Sequence, residues 1–446
     1  MQRLFGTDGV RGLANREITA ELALKLGAAA AGYFSRGASG RPQIMIGLDT
    51  RLSGDMLAAA LAAGISSAGG EAHMLGVMPT PAVAYLTAHS NACAGAVISA
   101  SHNPFEDNGI KFFSHAGIKL PDEIEDEIQR LVEGQELAGK PIGDGIGRIV
   151  FRSGLADDYA QYVIKSADTD LHGLKIVLDC ANGAASDLAP FVLRALGAEV
   201  IVTNNRPDGL NINKGCGSTH MEGLRKKVLE EKADLGVAHD GDADRCLMVD
   251  ENGQLVDGDQ LMLICALELM EAGRLAADTL VTTVMSNIGL HCAFKARGGK
   301  CVVTPVGDRY VLEEMLKNGY NFGGEQSGHI IFGDYATTGD GLMTATQVLR
   351  AAVRNNRPLS ALAGLMTKYP QVLNNVKVKS KEGWQTNKEI GKAIAHAEQS
   401  LGEAGRVLVR ASGTEPLLRV MLEGPDREIL DELARSIARA VENELG

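Results

Sequence analysis

A serine that could act as a nucleophile lies at position 101, directly after a short apolar run at residues 94–99. The run predicts a strand, and Ala-Ser-His-Asn-Pro at residues 100–104 predicts the loop that follows it. A serine hydroxyl at a strand end can attack when a base and charge-stabilising groups converge on it. The competing interpretation is a turn or helix-capping serine. A Ser–His–Asp hydrolase is less attractive, because His102 adjoins Ser101 and no G-x-S-x-G motif is present.

Three aspartates, Asp240, Asp242 and Asp244, alternate with Gly241 and Ala243. In an extended segment, residues at i, i+2 and i+4 project to the same side. Three carboxylates on one side repel each other unless a cation lies among them. Hard oxygen ligands select Mg²⁺, Mn²⁺ or Ca²⁺ and not zinc. The pattern therefore predicts a metal site.

Two rival interpretations of the aspartates are weaker. An acidic surface turn is disfavoured because the strand-like run at residues 246–249 predicts a buried setting. An EF-hand loop requires glycine at its sixth position, where this chain has Arg245, and no helices are predicted to flank the loop.

A third group of polar residues lies at residues 410–419, where a strand-end arginine, two hydroxyl residues and a glycine precede a second arginine. Hydroxyls, backbone N–H groups and guanidinium groups together can bind phosphate. The alternative is a polar hairpin turn with two solvated arginines. Residues 5–12 form another glycine-spaced loop with an arginine, which is a weak signal alone.

A fourth group consists of Glu325, Ser327 and His329, which alternate in a glycine-rich segment. A carboxylate, a hydroxyl and an imidazole at alternate positions suit a ligand rich in hydroxyl groups, such as a sugar. A glycine-rich turn with a hydrogen-bonded histidine would give the same pattern.

Three strand–turn–helix stretches are predicted to position these loops. Each has a short strand, a polar turn and a helix that stops at glycine before a new strand. The strands are predicted at 43–49, 174–179 and 279–284, and the helices at 56–67, 187–196 and up to 297. Units of this kind imply parallel sheets, in which ligands gather at the carboxyl ends of strands. The serine, aspartate and Glu325 loops each follow a later strand of one unit, which predicts a site assembled from three domains. A chance alignment of three generic α/β units is the alternative.

The C-terminal part differs from these units. Strands are predicted at 375–379, 406–410 and 418–423, followed by a helix from about residue 426. Ile429, Leu433, Ile437 and Val441 would lie on one face of that helix. We therefore predict an α/β protein: three related α/β domains with mixed, largely parallel sheets, plus a C-terminal α+β domain. The predicted boundaries are 1–152, 153–252, 253–368 and 369–446.

Composition restricts the partners and the compartment. Across 446 residues, 44 Lys and Arg against 56 Asp and Glu leave a net charge of −12, which disfavours nucleic acid and anionic membranes as partners. The N-terminus has no signal-peptide pattern, and no apolar run is long enough to cross a bilayer. Seven cysteines without a CxxC pair indicate reduced thiols in a cytoplasmic protein. The 53 glycines indicate many tight turns or close ligand contacts.

Taken together, the segments at residues 5–12, 99–104, 240–245, 323–329 and 410–419 resemble the α-D-phosphohexomutase family in order and approximate spacing. The resemblance spans essentially the whole chain and implies four domains around a central cleft. Within the family, the segments at 5–12, 98–111 and 324–329 favour the members that act on glucosamine phosphates, and Gln326 matters most for that choice.

The resemblance assigns roles residue by residue. Ser101 would be the phosphoserine, and its phosphate would join Asp240, Asp242 and Asp244 in holding one Mg²⁺ per chain. The other implied roles are sugar contact by Glu325 and Ser327, binding of the phosphate that is not transferred by Arg410, Ser412, Gly413, Thr414 and Arg419, charge neutralisation by Arg11, Lys111 and Arg245, and general acid or base catalysis by His102, Lys111 or His329.

The implied reaction interconverts glucosamine 6-phosphate and glucosamine 1-phosphate through a 1,6-bisphosphate, for UDP-N-acetylglucosamine and cell-wall precursors. Glucosamine or glucose 1,6-bisphosphate would serve as activator, and the fourth domain would hinge near residue 368. A homodimer, and priming of Ser101 by a kinase or by autophosphorylation, are compatible with this assignment. The alternatives are the same chemistry on mannose or glucose phosphates, a metal-dependent phosphatase, and a non-catalytic sugar-phosphate sensor.

Overall fold

The computed structural model of the chain describes residues 3–6, 8–36, 40–134, 141–152, 154–402, 405–412 and 416–446. Two compact units emerge from its backbone contacts. The larger unit contains residues 1–285 and 301–365, and the smaller contains residues 286–300 and 366–446.

The helices and strands follow each other in chain order. Within residues 3–151 they are β1 Val10–Leu13, α1 Ala20–Phe34, β2 Gln43–Leu48, α2 Gly54–Ser67, β3 Glu71–Val77, α3 Thr80–Ala88, β4 Ala94–Ile98, β5 Asp107–Ser114, α4 Asp122–Glu133 and β6 Ile149–Phe151. Within residues 155–256 they are α5 Leu155–Ala167, β7 Lys175–Asp179, α6 Leu188–Ala195, β8 Glu199–Thr203, α7 Glu222–Glu231, β9 Leu235–His239, β10 Cys246–Asp250 and β11 Leu255–Val256.

The second half continues in the same way. Within residues 258–363 the elements are α8 Gly258–Glu271, β12 Thr279–Thr283, α9 Ile288–Lys295, β13 Lys300–Thr304, α10 Asp308–Asn318, β14 Phe322–Gly324, β15 Ile330–Phe332, α11 Gly341–Asn355 and α12 Leu359–Ala363. The last are β16 Gln371–Lys377, α13 Lys388–Leu401, β17 Arg406–Ala411, β18 Leu417–Glu423 and α14 Arg427–Leu445. Short 3₁₀ turns lie at Gly143–Gly145, Gly217–Thr219, Ala276–Asp278 and Trp384–Thr386.

The first sheet has the order β1-β5-β4-β2-β3-β6. Its strands β4, β2, β3 and β6 pair in parallel, while β5 pairs antiparallel with both β1 and β4. Helices α1 and α2 pack together closely because glycines lie at their contact. A Cβ atom at Gly27 would lie 2.1 Å from the Leu61 carbonyl oxygen, and one at Gly64 would lie 2.0 Å from that of Leu24. Any side chain at either position would separate the two helices.

The second sheet has the order β11-β10-β9-β7-β8, and the third has the order β13-β12-β14-β15. In both, a parallel pair at the centre is extended by an antiparallel strand, as when β9 pairs with β7 on one side and β10 on the other. The predicted α/β fold with mixed, largely parallel sheets is therefore confirmed.

The smaller unit contains the antiparallel sheet β16-β18-β17 together with helices α13 and α14. The predicted α+β character is confirmed. One prediction within it is wrong: Ile429 lies in the first turn of α14 and is 46% exposed. The buried face of α14 consists of Leu430, Leu433, Ala434, Ile437 and Val441.

Helix α9 belongs to the smaller unit, although the sequence places it in the third α/β stretch. Glu423, at the end of β18, accepts hydrogen bonds from the Ile288 backbone N–H and the Asn287 side chain at the start of α9. The boundaries drawn from sequence at 152, 252 and 368 stay predictions.

All seven cysteines are free, and burial raises the pKa of several of them, for example to about 11 at Cys93. No helix in the described part of the chain has the length and hydropathy needed to cross a membrane.

Candidate active site

Ser101 lies three residues after β4, at the carboxyl end of this parallel strand, and is buried. Its backbone is left-handed, with a φ of 52°, which is uncommon for a residue with a side chain. The loop is held by a chain of hydrogen bonds: the Ser101 N–H donates to the Ser99 hydroxyl (2.9 Å), which donates to Asp49 (2.6 Å). A strained residue held this firmly is typical of a functional position.

Arg51 holds the same loop in place through an ion pair and several hydrogen bonds. Arg51 is 2% exposed, and its guanidinium pairs with Asp49 at 2.8 Å. It also donates to the backbone carbonyls of Ser101, Asn103, Pro104 and Asp107. The Asn213 side chain, in the loop after β8, donates to the Ser101 and Asn103 carbonyls. These bonds fix the Ser101 backbone while leaving its hydroxyl available.

The aspartate loop follows β9 and precedes β10. The extended conformation expected for it is wrong: Ala243 is left-handed (φ 56°), and the Ala243 N–H donates to the Asp240 carbonyl across a turn. The carboxylates nevertheless converge, because the turn folds Asp240, Asp242 and Asp244 toward one point. One oxygen of each lies within 4.8 Å of the others, and all three residues are buried.

The donor set of this group fits a hard divalent cation. The buried Oδ1 atoms of Asp242 and Asp244 accept no hydrogen bond from any described residue. Burial, followed by the neighbouring Asp244 and Asp242 carboxylates, raises the pKa of Asp240 well above its usual range. Such crowding is costly for bare carboxylates and is relieved by a bound metal ion.

The Ser101 hydroxyl donates to Asp240 Oδ2 at 2.6 Å, so the serine directly adjoins the aspartate group. Lys111, on β5, is 2% exposed and bonds Asp242 at 2.8 Å. Although burial opposes its charge, Asp242 and Asp8 raise the pKa of Lys111 above its usual range. The lysine is therefore held as a cation, which suits charge neutralisation better than proton abstraction. Arg245 lies 4.0 Å from Asp240 and 3.9 Å from Asp244.

His102 and His329 differ in their surroundings. The His102 Nδ1 atom lies 3.5 Å from the Ser101 hydroxyl. Burial, then Arg245 and Arg11, lower the pKa of His102, which favours the neutral imidazole that a general base needs.

His329 lies between two carboxylates, 3.6 Å from Asp244 and 3.4 Å from Asp308. Against the effect of burial, these carboxylates raise the pKa of His329. The Gly339 N–H, however, donates to Nε2 at 3.0 Å, which requires an unprotonated Nε2. The other ring nitrogen, Nδ1, faces Asp244.

The Glu325 loop connects β14 to β15 in a tight turn. The Gly307 N–H donates to Glu325 Oε1 at 3.0 Å. The Ser327 hydroxyl is buried and has no hydrogen-bond partner among the described residues. Both predicted sugar contacts are thus polar groups with hydrogen-bonding capacity left over.

Arg11 lies close to the serine loop, where it bonds Asp8 and approaches the Ala100 carbonyl at 3.4 Å. Lys119 bridges Asp8 (2.5 Å) and Asp308 (2.6 Å). The serine loop contacts the aspartate loop through Ser101 and Asp240, and the aspartate loop contacts the Glu325 loop through Asp244 and His329.

The predicted phosphate-binding residues lie in the smaller unit. Arg410 on β17 faces Arg419 on β18 as a cross-strand pair. Burial, and then Arg419, lower the pKa of Arg410. The Lys381 side chain donates to the Ser412 carbonyl. Gly413 and Thr414 lie outside the described residues.

Sequence reasoning missed several residues of the site. Arg51 was detectable, because it follows strand β2 at the sheet edge where ligands gather. Thr80 donates to Asp242 at 2.6 Å from the first turn of α3. No nearby sequence pattern marks the other missed residues as part of the site, because their contacts join segments that are distant in sequence. These residues are Thr80, Asn213, Lys119 and Asp308.

The fold and these loops correspond to one family. The chain matches all four domain models of the phosphoglucomutase/phosphomannomutase family: domain I at residues 2–138, domain II at 157–253, domain III at 257–369 and the C-terminal domain at 373–440. Together with its full-length relatives, these matches show that the chain belongs to this family.

Relatives that match the full length of the chain have names that are more specific than the name of the family. The chain is 56% identical to the phosphoglucosamine mutase of Symbiobacterium thermophilum over 447 residues, covering 100% of both chains. It is 54% identical to the phosphoglucosamine mutase of Clostridium novyi, covering 99% of both.

Solved structures share the fold. A phosphoglucomutase/phosphomannomutase family protein from Burkholderia thailandensis has a TM-score of 0.82 at 25% identity, covering 99% of this chain and 98% of that one. Aspergillus fumigatus N-acetylphosphoglucosamine mutase, solved with GlcNAc-6P and magnesium, has a TM-score of 0.68 at 18% identity, covering 99% and 95%.

Proposed function

We propose that this protein is an isomerase that interconverts glucosamine 6-phosphate and glucosamine 1-phosphate. The observation that carries the proposal is the buried Ser101 hydroxyl, 2.6 Å from Asp240 within the three-aspartate group. A serine beside a metal-binding group is arranged for phosphoryl transfer. The choice of sugar rests on the full-length relatives named phosphoglucosamine mutase, which do not favour mannose or glucose phosphates as the main substrate.

Asp240, Asp242 and Asp244 would hold one Mg²⁺ ion, with the phosphate on Ser101 as a further oxygen ligand. When bound, the ion supplies positive charge that offsets the charge of the transferred phosphoryl group. Arg11, Lys111 and Arg245 add cationic charge around the same point. Phosphoryl transfer depends mainly on such neutralisation and on alignment.

The reaction has two balanced transfers. In the first, the phosphorus–oxygen bond to Ser101 breaks and a bond to the free sugar hydroxyl forms, while the hydroxyl proton passes to a base and the leaving serine oxygen takes up a proton. The product is a 1,6-bisphosphate, which reorients in the site. In the second transfer, its other phosphate returns to Ser101, whose hydroxyl gives up its proton, and the sugar oxygen that leaves takes up a proton.

His102 and His329 are the candidate bases. Lys111 is less suited to this role because Asp242 stabilises its ammonium form. Glu325 and Ser327 would contact sugar hydroxyls. Arg410, Ser412, Gly413, Thr414 and Arg419 would bind the phosphate that is not being transferred.

Further parts of the proposal concern regulation and assembly. Glucosamine or glucose 1,6-bisphosphate would act as activator, and a kinase or autophosphorylation would prime Ser101. A homodimer, a cytoplasmic location, a hinge near residue 368 and four domains around a cleft stay predictions.

Ser101→Ala tests the proposal. This variant should lose nearly all interconversion of the two glucosamine phosphates while keeping its melting temperature, because the substitution removes only the phosphoryl carrier. Mass spectrometry of the unmodified protein should show one phosphate on Ser101. Ser400→Ala, on exposed α13, is the control and should retain full activity. Near-normal turnover by Ser101→Ala, or release of inorganic phosphate as fast as isomerisation, would contradict the proposal.

A further inference from the structure

Thr80, the first residue of helix α3, contacts the aspartate loop twice and has no role in the mechanism described above. Its backbone N–H donates to the Asp242 carbonyl at 2.9 Å, and its hydroxyl donates to Asp242 Oδ2 at 2.6 Å. Thr80 and Asp242 are both 0% exposed, so water does not compete for these bonds. The beginning of α3 is therefore attached to one carboxylate of the candidate metal site.

The two carboxylate oxygens of Asp242 have different partners. Oδ2 accepts from the Thr80 hydroxyl and also from Lys111 Nζ, at 2.8 Å. A carboxylate oxygen has about two acceptor sites, so these two donors occupy both sites of Oδ2. Oδ1 is buried and accepts no hydrogen bond from any described residue. Asp242 is therefore arranged to offer a cation one oxygen and not two.

The other two aspartates are held differently. Asp240 accepts one hydrogen bond at each of its carboxylate oxygens. Asp244 Oδ2 lies 3.8 Å from Lys111 Nζ, beyond hydrogen-bond distance, and Asp244 Oδ1 accepts no hydrogen bond from any described residue. Within the described part of the chain, two donors thus meet on a single oxygen of this group only at Asp242.

The number of oxygens that a carboxylate offers affects which hard cation it binds. Ca²⁺ takes about six to eight oxygen ligands and can bind a carboxylate through both oxygens, whereas Mg²⁺ requires near-octahedral geometry with fewer ligands. A carboxylate confined to one oxygen therefore favours Mg²⁺, because it does not supply the extra ligand that Ca²⁺ can use. The Thr80 hydroxyl is necessary for this restriction, since Lys111 alone would leave one acceptor site of Oδ2 open.

We propose that Thr80 is a positioning residue that shifts the cation preference of the three-aspartate site toward Mg²⁺ and away from Ca²⁺. Its hydroxyl holds the Asp242 carboxylate so that Oδ1 alone is available to the cation. The inference rests on the proposed function, because it requires that the three aspartates hold a divalent cation.

The experiment measures the dissociation constants of Mg²⁺ and Ca²⁺ by calorimetric titration of the full-length protein. Thr80→Val removes the hydroxyl and keeps the shape of the side chain. Its Kd for Mg²⁺ should rise about tenfold, on the scale of losing a residue that orients a metal ligand. Its Kd for Ca²⁺ should change by less than about threefold, because Asp242 can then bind through both oxygens. Thr80→Ser keeps the hydroxyl and should retain the preference of the unmodified protein.

Thr87→Val provides a matched control. Thr87 is a second threonine on α3 that is 0% exposed, but its hydroxyl donates to the Val83 carbonyl at 2.7 Å, so both dissociation constants should stay unchanged. Mass spectrometry should verify that every sample carries the same amount of phosphate on Ser101, because that phosphate would also bind the cation.

An equal rise of both dissociation constants in Thr80→Val, or no change in either, would overturn the proposal and leave Thr80 a residue that only packs α3 against the aspartate loop. If Thr80→Val fails to fold, Thr80→Ala, which also lacks the hydroxyl, decides in the same way. If the unmodified protein binds neither cation, the metal site of the proposed function fails, and this inference fails with it. If the unmodified protein binds Mg²⁺ and Thr80→Val shows no shift in preference, this inference alone fails.

Discussion

Ser101 and Arg51 differ in how clearly the sequence alone indicates their importance. Ser101 is recognisable because a serine follows a predicted strand in a polar loop. Arg51 is recognisable only as a charge after strand β2. Its importance comes from tertiary contacts, since one guanidinium satisfies Asp49 and four backbone carbonyls of the serine loop.

We predict that Arg51→Met lowers the free energy of unfolding by about 3–5 kcal/mol, because it leaves the buried Asp49 carboxylate and several carbonyls without their partner. Urea denaturation measures the change. Arg130→Met is the matched control: the Arg130 side chain is 72% exposed and pairs with Glu127 at the surface, so the loss should stay within about 0.5 kcal/mol. Equal stability of the two variants would refute the role given to Arg51.

At the scale of elements, helix α11 begins at a buried carboxylate. Asp340 accepts from the Met343 N–H in the first turn of α11 and from the Tyr159 hydroxyl on α5, at 2.9 Å each. The contact joins two helices from different α/β stretches. Burial raises the pKa of Asp340 to about 6, although the Met343 N–H and the Tyr159 hydroxyl act in the opposite direction.

This shift predicts a pH dependence of stability. The folded chain binds the Asp340 proton more tightly than the unfolded chain, whose aspartates titrate near pH ~3.9. The stabilising contribution is therefore complete below pH ~3.9 and is lost as pH rises through about 6. Asp340→Asn, which keeps an acceptor for the helix start, should gain about 2 kcal/mol relative to the unmodified protein between pH ~4 and ~7. Urea denaturation across that range measures the difference, and a difference that does not change with pH would contradict the prediction.

The sequence predicts some of the strands and misses others. The strands β2, β7, β9 and β12 were predicted from short apolar runs between turns, because a central parallel strand is apolar on both faces. Strand β1 was not predicted, because residues 10–13 lie in a glycine-spaced segment that reads as a loop and becomes a strand only by pairing with β5. The exposed Ile429 shows the limit of a helical pattern, since a 3.6-residue period does not say which of two adjacent apolar residues in the first turn is buried.

At the scale of the whole molecule, the chain forms two units whose boundaries do not follow chain order. Residues 286–300 leave the third α/β stretch and join residues 366–446. Glu423 is the centre of this connection: it is 0% exposed, pairs with Arg406 at 2.7 Å and accepts from the start of α9.

We predict that Glu423→Gln loosens α9 together with β17 and β18, because the glutamine loses the charge that satisfies Arg406 and the Ile288 N–H. Hydrogen exchange followed by mass spectrometry should show faster exchange at Ile288–Lys295, corresponding to about 1–3 kcal/mol, and no change in α2. Glu432→Gln, on the exposed side of α14, is the control. Unchanged protection of α9 alongside faster exchange in β17 and β18 would show that Glu423 does not hold this helix.

Much of the chemistry of this protein can be predicted from local patterns in its sequence. The three aspartates, the serine after a strand, the arginine pair and the three strand–helix stretches all follow from local patterns, since strand ends, glycine stops and charge spacing are properties of short segments. The convergence of the loops was also predictable from sheet topology. The support of Ser101 by Arg51 and the place of helix α9 in the smaller unit were not predictable, because both depend on contacts between segments more than 40 residues apart. Such contacts are determined by packing, in which shape and buried charge select partners that sequence spacing does not reveal.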